Sequence, residues 1–382
     1  MDSQCVSPRH EELPTFPWDL LKPAIQRAQE HPLGACDLSV GTPVDPTPDL
    51  IQHALAEASN AHGYPTVIGT AEVRDAIRAW CRQRNMVDPG PDGVIPTIGS
   101  KEAVAWLPFL LGVRPGHKVL IPSVSYPTYD VGVRLAGATP IPVNPEDVES
   151  WPTTATMVWL NSPGNPDGHV LERAQLARIV QWARTHRCLV ASDECYAALD
   201  WREGGMGTPS ALDQEVCQGH PDGIVVAYSL SKQSNMAGYR AALLAGDPHL
   251  IQPLVQVRKH SGMMMPAPVQ HAMAVALLDT NHVAIQREIY RRRRAVLLDA
   301  VTRLGLRQDP HSVAGLYLWL TDPAHPDDSW RLVNWFAELG IIVAPGDFYG
   351  QAAHGHVRVA LTATDERIEQ AVARLDAATL PA

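Results

Sequence analysis

The residues best suited to chemistry lie in the string Ser229–Lys232 (Ser-Leu-Ser-Lys), which Arg240 follows eight residues later. The apolar run Ile224–Ala227 before them predicts a buried strand, which would deliver two hydroxyls and an amine to one edge of a sheet. Hydroxyls and a guanidinium suit a phosphate, and a desolvated lysine suits a Schiff base. Together they suggest a phosphorylated aldehyde cofactor, pyridoxal phosphate (PLP). Alone, such a string is more often a surface lysine on a polar loop.

A second phosphate contact is predicted where Gly99, Ser100 and Lys101 open a helix after an apolar run. Glycine permits close backbone approach, and the free N–H groups at a helix N-terminus attract anions. The alternative is a serine that only caps the helix.

Polar residues also follow three other apolar runs. Tyr126 could stack on a flat ring, and Asn165, in a proline-rich loop, could donate to a phenolic oxygen. A buried carboxylate such as Asp193 must be paired, and a protonated pyridine nitrogen would pair it. Tyr196 could reach the same phenolic oxygen. The alternatives are that Tyr126 is a packed core tyrosine, that the Asn165 loop is a plain turn, and that Asp193 is a helix N-cap or part of a structural ion pair.

Arg358 lies between valines in the predicted strand His356–Ala360. A guanidinium there can hold a carboxylate in a bidentate fork. The alternative is a surface arginine on a half-exposed strand.

The elements that must position these residues form an alternating pattern of short apolar runs and longer amphipathic segments, which predicts an α/β fold with a mostly parallel, seven-stranded sheet. The last two strands are close in sequence, so one of them should be antiparallel. The predicted strands are Val94–Ile98, Lys118–Ile121, Thr139–Val143, Thr156–Leu160, Cys188–Ser192, Ile224–Tyr228 and Ala241–Ala245.

Two domains are expected. Residues 41–265 would form the large, cofactor-binding domain, and residues 1–40 and 266–382 a smaller α+β domain. One long helix, Ala267–Leu297, would connect them. Ligands should bind beyond the carboxyl ends of the parallel strands, where the polar residues fall.

Composition excludes several classes of protein. The chain has 382 residues and a net charge of -10, without a basic patch that would indicate nucleic acid; Arg291–Arg294 predicts a solvated helix face. No apolar stretch approaches ~20 residues, which argues against a membrane protein, and no signal peptide is recognised. Six cysteines without CxxC pairs predict reduced thiols in a cytoplasmic enzyme. No metal-ligand spacing occurs, so no metal is expected.

With these residues identified, the chain resembles the fold-type I, PLP-dependent aminotransferases of class I/II, from about Phe16 to Leu375. The strings that carry the resemblance are Asp37–Pro43, Tyr64-Pro65 with Gly69, Asn161–Gly168, Asp193–Tyr196, Ser229–Arg240 and Val357–Val359. One departure is Asp167, where the family usually has threonine; Asn165 remains in place.

The resemblance implies a role for each candidate residue. Lys232 would form the Schiff base and shuttle the proton, with Asp193 and Tyr196 as the other catalytic residues. A carboxylate would be bound by Arg358, with Gly41 approaching it through its backbone and Asn165 nearby. Tyr64 would reach the phosphate of a neighbouring subunit, which implies a homodimer with shared active sites. The cofactor-binding residues would be Gly99, Ser100, Lys101, Tyr126, Asn165, Asp193, Tyr196, Ser229, Ser231, Lys232, Arg240 and Tyr64.

A narrower similarity is to the actinobacterial type of N-succinyldiaminopimelate aminotransferase. It implies transfer of an amino group from glutamate to N-succinyl-2-amino-6-oxopimelate, leaving 2-oxoglutarate. The remote carboxylates of that substrate need further cations, for which Arg258, Lys259 and Lys101 are candidates. The strings that carry this similarity are Phe16–Asp19, Val40–Pro46, Arg258–Met264, Ala344–Gly350 and Ala360–Asp365.

Other functions remain open at this stage. The same cofactor could serve an aminotransferase for aspartate or aromatic amino acids, or a lyase. A regulatory module that binds the cofactor without turnover would need a DNA-binding domain, for which the N-terminal segment is too short. A dinucleotide-dependent dehydrogenase ranks lowest, because no GxGxxG follows the first strand.

Overall fold

The computed structural model describes residues 13–14, 16–205 and 207–381. The α-helices of these residues are α1 Lys22–Gln29, α2 Asp49–Glu57, α3 Ala71–Gln83, α4 Ser100–Leu110, α5 Thr128–Leu135, α6 Arg173–His186, α7 Gln214–Cys217, α8 Pro248–His260, α9 Ala267–Leu278, α10 Asn281–Arg303, α11 Ser329–Glu338 and α12 Asp365–Asp376. The strands are β1 Cys36–Asp37, β2 Val94–Ile98, β3 Lys118–Pro122, β4 Thr139–Val143, β5 Met157–Asn161, β6 Leu189–Asp193, β7 Ile224–Ser229, β8 Ala241–Gly246, β9 Arg307–Gln308, β10 Tyr317–Thr321, β11 Ile341–Ile342, β12 Ala344–Pro345 and β13 His356–Ala360.

The large sheet has seven strands in the order β2-β8-β7-β6-β5-β3-β4. All neighbouring pairs are parallel except the two that β8 makes with β2 and β7. The predicted fold class, with one antiparallel strand among the last two, is therefore confirmed. The carboxyl ends of β2, β3, β5, β6 and β7 lie along one edge, where the polar residues begin.

Both faces of this sheet are covered, which explains why its strands are apolar runs without alternation. Val158 and Leu160 of β5 belong to the hydrophobic cluster that includes α2, α3, α6 and α9. Met157 and Trp159, pointing the other way, belong to the cluster under α4, α5 and α8. No α-helix in the described part of the chain combines the length and hydropathy that a membrane crossing requires.

A smaller unit is built around the antiparallel sheet β12-β13-β10-β9 and has its own hydrophobic cluster. The N-terminal segment packs here, because β1 pairs in parallel with β11 and α1 contacts α11. The domain boundaries at residues 40 and 265 stay predictions. Helix α9, which lies beyond the second boundary, packs on α2, α3 and β8 of the large sheet.

The expectation of one long helix over Ala267–Leu297 is wrong. Helix α9 ends at Leu278, and Asp279 adopts an extended conformation (φ -99°, ψ 117°). Its carboxylate accepts a hydrogen bond from the backbone N–H of His282 at 2.9 Å, so it satisfies a free donor in the first turn of α10. The chain therefore leaves the helical conformation at Asp279 and starts a second helix at Asn281.

The expectation of a solvated face at Arg291–Arg294 is wrong for Arg293. This side chain is buried, and its guanidinium pairs with Asp45 and with Asp365, each at 2.7 Å. A buried arginine needs such partners, because desolvation of an unpaired charge is costly. The contact ties α10 to the segment before α2 and to the start of α12.

Candidate active site

A cavity of about 1710 Å³ opens between the carboxyl edge of the large sheet and the smaller unit. Residues from both parts line it, as expected for ligands that bind at the strand ends. Predicted site residues that line it are Gly41, Ser100, Lys101, Tyr126, Asn165, Asp193, Tyr196, Ser229, Ser231, Lys232, Arg240 and Arg358. Gly99 lies directly before Ser100. Tyr64 does not line the cavity.

Lys232 follows β7 and projects into the cavity, where its Nζ donates a hydrogen bond to the carbonyl oxygen of Gly41. Burial lowers the pKa of this amine and outweighs the opposing effects of Tyr317 and Cys195, and the positive charges of Arg358 and Arg240 lower the pKa by smaller amounts. A lysine with a lowered pKa is neutral, and hence nucleophilic, over a wider pH range.

Asp193 is the last residue of β6. The predicted strand ended at Ser192, so the observed strand extends one residue further. Its carboxylate is buried and accepts hydrogen bonds from the Tyr129 hydroxyl at 2.9 Å and from the Cys195 backbone N–H at 3.2 Å. Burial raises the pKa of Asp193. Among the described residues no cationic side chain pairs with it. A buried acid that lines a cavity without a cation suits a cationic ligand.

An anion site forms where α4 begins. Gly99 precedes the helix with φ 76°, and no side chain caps the helix N-terminus. A Cβ on Gly99 would lie 2.2 Å from Nη2 of Arg240, so any other residue there would push this guanidinium aside. Within the described residues, no acid forms an ion pair with Arg240, whose Nη1 donates to the Ala237 carbonyl oxygen at 2.9 Å. Uncapped N–H groups beside an unpaired guanidinium suit a phosphate.

Two serines complete this side of the cavity. Ser229, the last residue of β7, donates from its hydroxyl to the Ser231 hydroxyl at 2.9 Å. The Ser229 oxygen also accepts from the backbone N–H of Ser231 at 3.2 Å. These contacts fix both hydroxyls at the strand end, on the same cavity wall as Arg240.

The loop after β5 brings Asn165 to the cavity. Its Oδ1 accepts a hydrogen bond from Nη1 of Arg358 at 2.8 Å, and its backbone N–H donates to Oδ1 of Asn161 at 2.8 Å. With the oxygen engaged, the amide nitrogen of Asn165 is the group left to donate to a ligand. Tyr196 also reaches the cavity, and its hydroxyl lies 3.2 Å from that of Tyr317.

Arg358 is the most buried cation of the site, with 2% of its surface exposed. One guanidinium nitrogen contacts Asn165 and the other donates to the carbonyl oxygen of Ser39. Its Nε has no hydrogen-bond partner, and among the described residues no carboxylate pairs with it. A buried guanidinium without an acid is a strong site for a ligand carboxylate.

The structure distinguishes among the three cations that are candidates to bind a remote carboxylate of the substrate. Arg258 is buried in an ion pair with Glu102 at 2.8 Å, so it is not free for a ligand. Lys259 does not line the cavity. Lys101 lines it and has no acidic partner within the described part of the chain; its Nζ lies 5.8 Å from the ring centre of Phe16.

Tyr64 is 98% exposed and remote from the cavity of its own chain. Its predicted phosphate contact therefore depends on a second subunit and stays a prediction. An exposed aromatic side chain of this size is consistent with such an interface, although scattered exposed hydrophobic residues are ordinary.

Sequence reasoning missed two tyrosines of the site. Tyr129, three residues after Tyr126, donates to Asp193, and its local sequence pattern is that of an ordinary core tyrosine. Tyr317 stacks on Arg358, whose guanidinium carbon lies 4.0 Å from the ring centre. The Tyr317 hydroxyl also lies where a Cβ on Gly41 would be, at 2.2 Å, so the site requires glycine there. Nothing in the sequence near Tyr317 indicated this contact.

Comparisons with known proteins agree with this geometry. The family model for aminotransferase class I and II matches residues 33–375. The chain is 49% identical over 365 residues to 4-dedimethylamino-4-oxo-anhydrotetracycline transaminase OxyQ of Streptomyces rimosus, covering 95% of this chain and 99% of that protein. It is 49% identical over 364 residues to a probable aminotransferase of Mycobacterium tuberculosis, covering 95% and 85%.

A solved structure is also similar. The probable N-succinyldiaminopimelate aminotransferase of Thermus thermophilus superposes with a TM-score of 0.85 at 27% identity, over 95% of this chain and 100% of that chain. The family match includes the large sheet, the antiparallel sheet of the smaller unit and every candidate residue that lines the cavity. The chain therefore belongs to the class I and II aminotransferases, fold-type I enzymes whose cofactor is pyridoxal phosphate.

Proposed function

We propose that this aminotransferase moves an amino group between glutamate and N-succinyl-2-amino-6-oxopimelate. The observation that carries the proposal is a pair of cations, Arg358 and Lys101, that line the cavity without an acidic partner among the described residues. The guanidinium carbon of Arg358 lies 5.8 Å from the ring centre of Trp18, and Nζ of Lys101 lies 5.8 Å from the ring centre of Phe16. The two ring centres are 5.7 Å apart. Two separate cations suit a substrate with a carboxylate at each end.

The cavity fits the cofactor. Arg240, Ser229 and the N-terminus of α4 offer guanidinium, hydroxyl and N–H donors for its phosphate. The buried Asp193 carboxylate would face its ring nitrogen, and Lys232, whose pKa burial lowers, would supply the amine for its aldehyde carbon. When bound, PLP would supply a temporary carrier for the amino group and an electron sink for the charge left at the α-carbon.

The protein's own residues would divide the remaining work. Nζ of Lys232 would remove the α-proton of the substrate as general base and, as general acid, deliver it to the cofactor's carbon. The negative charge of Asp193 would keep the ring nitrogen protonated. The hydroxyl of Tyr196 and the amide of Asn165 would donate to the phenolic oxygen, and Tyr126 would cover the ring face.

Arg358 would orient the α-carboxylate of both substrates in turn. Its guanidinium is held by Asn165 and Ser39, so the fork is fixed before the substrate arrives, and less entropy is lost on binding. Lys101 would contact a remote carboxylate. The exposed Tyr64 would complete the phosphate site of a second subunit, so we propose a homodimer.

A second candidate acceptor is a large polycyclic ketone. The 49% identical relative from Streptomyces rimosus bears the name of a transaminase for an oxo-anhydrotetracycline. Aromatic and apolar side chains also line the mouth of the cavity, among them Phe16, Trp18, Trp330 and Phe348. Such a ketone would not use Lys101.

A substrate panel separates the two candidates. The holoenzyme is supplied with glutamate and a series of acceptors: N-succinyl-2-amino-6-oxopimelate, oxaloacetate, an aromatic keto acid and a polycyclic ketone without carboxylates. The proposal expects the highest kcat/KM for the succinylated acceptor. Turnover confined to the ketone, or to oxaloacetate or the aromatic acid, would refute this substrate and leave the aminotransferase assignment intact.

Two variants test the cations. Arg358→Lys loses the bidentate fork, worth about 1.5–3 kcal/mol, so KM for glutamate and for the acceptor should rise roughly 10- to 100-fold. Arg374→Lys is the matched control, since Arg374 is also buried but donates to backbone carbonyls outside the cavity. Lys101→Ala should raise KM for the succinylated acceptor alone, and Lys259→Ala should change nothing. Unchanged kinetics in Arg358→Lys would count against the carboxylate assignment.

A further inference from the structure

A second cluster of ligating side chains lies outside the cavity. His169 follows the Asn165 loop, and Asp309 and His311 lie in the connection between β9 and β10. Nε2 of His169 is 3.1 Å from Oδ2 of Asp309, and Nδ1 of His311 is 3.5 Å from Oδ1 of the same carboxylate. One ligand atom from each residue lies within 4.8 Å of the others. We propose that these three side chains bind a divalent transition-metal ion, Zn²⁺ in the first instance.

The distances suit a small tetrahedral ion. Zn²⁺ binds imidazole nitrogen and carboxylate oxygen at about 2.0–2.2 Å, which places neighbouring ligand atoms about 3.3–3.6 Å apart. Each histidine nitrogen approaches a different oxygen of the Asp309 carboxylate, at 3.1 and 3.5 Å, and both distances are close to that spacing. His311 is exposed and His169 partly so, hence both rings can adjust as the ion enters.

The carboxylate is already held in position. Its Oδ1 accepts a hydrogen bond from the backbone N–H of His311 at 2.8 Å, and the backbone N–H of Asp309 donates to the Trp319 carbonyl oxygen at 3.0 Å. Asp309 and His311 therefore keep a fixed relation in a short turn. A preorganised pair of ligands reduces the entropy that binding must overcome.

Asp167 lies behind His169. Its Oδ2 is 3.5 Å from Nδ1 of His169, on the opposite side of the ring from the nitrogen that faces Asp309. Metal-binding histidines usually contact a carboxylate through their second nitrogen, which fixes the ring and strengthens the ligand. Asp167 stands where the family resemblance leads us to expect threonine, so the carboxylate beside His169 is a departure from the usual family sequence.

Two imidazoles with one carboxylate favour Zn²⁺ and its neighbours over Mg²⁺ or Ca²⁺, which prefer oxygen ligands. Three protein ligands leave one tetrahedral position for water. No metal-ligand spacing was evident along the chain, because His169 and Asp309 are 140 residues apart.

A bound ion would join two parts of the fold. The Asn165 loop already contacts the β9–β10 connection, since the backbone N–H of Ala314 donates to the Gly168 carbonyl oxygen at 3.1 Å. A Cβ on Gly168 would lie 2.4 Å from the Ala314 carbonyl oxygen, so the approach is close. The ion would fasten the end of this loop to the smaller unit, whereas none of its three ligands lines the cavity.

Metal binding is measured directly on the holoenzyme, free of affinity tags and first treated with a chelator. Calorimetric titration with Zn²⁺ should give one equivalent per chain, and Co²⁺ should produce visible absorption of a tetrahedral site. Saturating Zn²⁺ should raise Tm by a few degrees, because it binds only the folded state. Absence of a stoichiometric site in the wild type would overturn the proposal.

The variants assign the ligands. His169→Gln, Asp309→Asn and His311→Gln should each weaken Zn²⁺ binding at least tenfold, and Asp167→Asn by about 10-fold through the second nitrogen. His325→Gln is the control, because His325 forms a similar pair with Asp322 at 3.3 Å. Circular dichroism confirms that each variant is folded. If His169→Gln and Asp309→Asn bind Zn²⁺ as tightly as the wild type, the assigned site is wrong.

Discussion

Replacement of Tyr129 by phenylalanine tests the role proposed for Asp193 without touching the carboxylate itself. The Tyr129 hydroxyl is buried and donates to Oδ2 of Asp193 at 2.9 Å. Tyr129→Phe keeps the ring in its stacked contact with Trp159, 5.1 Å between ring centres, and removes one hydrogen-bond donor. The backbone N–H of Cys195 remains on the other oxygen.

The magnitude follows from the charge on the acceptor. A hydrogen bond to a charged group contributes about 1.5–3 kcal/mol, and about 1.4 kcal/mol corresponds to one pKa unit. The donor stabilises the ionised form of Asp193, so its loss raises the pKa of a carboxyl that burial has already raised. We expect an upward shift of about one to two units. A protonated Asp193 cannot keep the cofactor's ring nitrogen positively charged. As the pH is lowered, activity should therefore begin to fall at a higher pH in the variant than in the wild type.

The assay is kcat/KM for the glutamate half-reaction across the pH range, because this quantity reports the ionisations of the free enzyme. The acid limb of the profile should move to higher pH by about one to two units in Tyr129→Phe, with little change at its alkaline side. Tyr290→Phe is the control, since Tyr290 is a buried tyrosine in the hydrophobic cluster of the smaller unit. Superimposable profiles for wild type and Tyr129→Phe would falsify the proposed role of Asp193.

Two further substitutions test a buried acid next to Asp193 and the anion site. Burial raises the pKa of Glu194 from 4.5 to about 7, so the native state holds this proton more tightly than the unfolded chain, and stability should fall by at most about 3 kcal/mol as pH rises from about 4.5 to about 7. Glu194→Gln should flatten that slope in denaturant unfolding, whereas Glu149→Gln, at an exposed position, should keep it; an unchanged slope in the first variant would contradict the reasoning. Gly99→Ala should weaken PLP binding by roughly 10- to 100-fold in equilibrium dialysis, because the new Cβ displaces the guanidinium of Arg240. Gly112→Ala, with a similar positive φ but open surroundings, should bind PLP normally, and equal affinities in both variants would argue against the anion site.

Much of the site was accessible from the sequence because each strand carries its own chemical group. Lys232, Asp193 and Ser229 each lie at or just after the end of an apolar run, and parallel strands bring such ends together. The apolar runs themselves are a local signal of burial on both faces, which is why the seven strands and the antiparallel one among them could be predicted. The Arg358 position followed from a strand pattern in the same way.

Contacts between distant parts of the chain could not be predicted this way. The hydroxyl that holds Asp193 comes from Tyr129 on a helix packed over the sheet, and the ring that lies over Arg358 comes from Tyr317 in another sheet. Neither residue differs in local pattern from an ordinary core tyrosine. The chemical role of a buried hydroxyl depends on which acceptor the fold places within hydrogen-bond distance of it.

The amino-acid sequence was sufficient to predict the strands of the large sheet, the family and the residues that carry a charge or a nucleophile, because hydrophobic periodicity and side-chain chemistry are local properties. Only the three-dimensional packing placed Arg293 in a buried position between two acids. It also decided that His169 meets Asp309 across 140 residues. Partners in an ion pair or a ligand set are chosen by packing in three dimensions, and no local propensity records that choice.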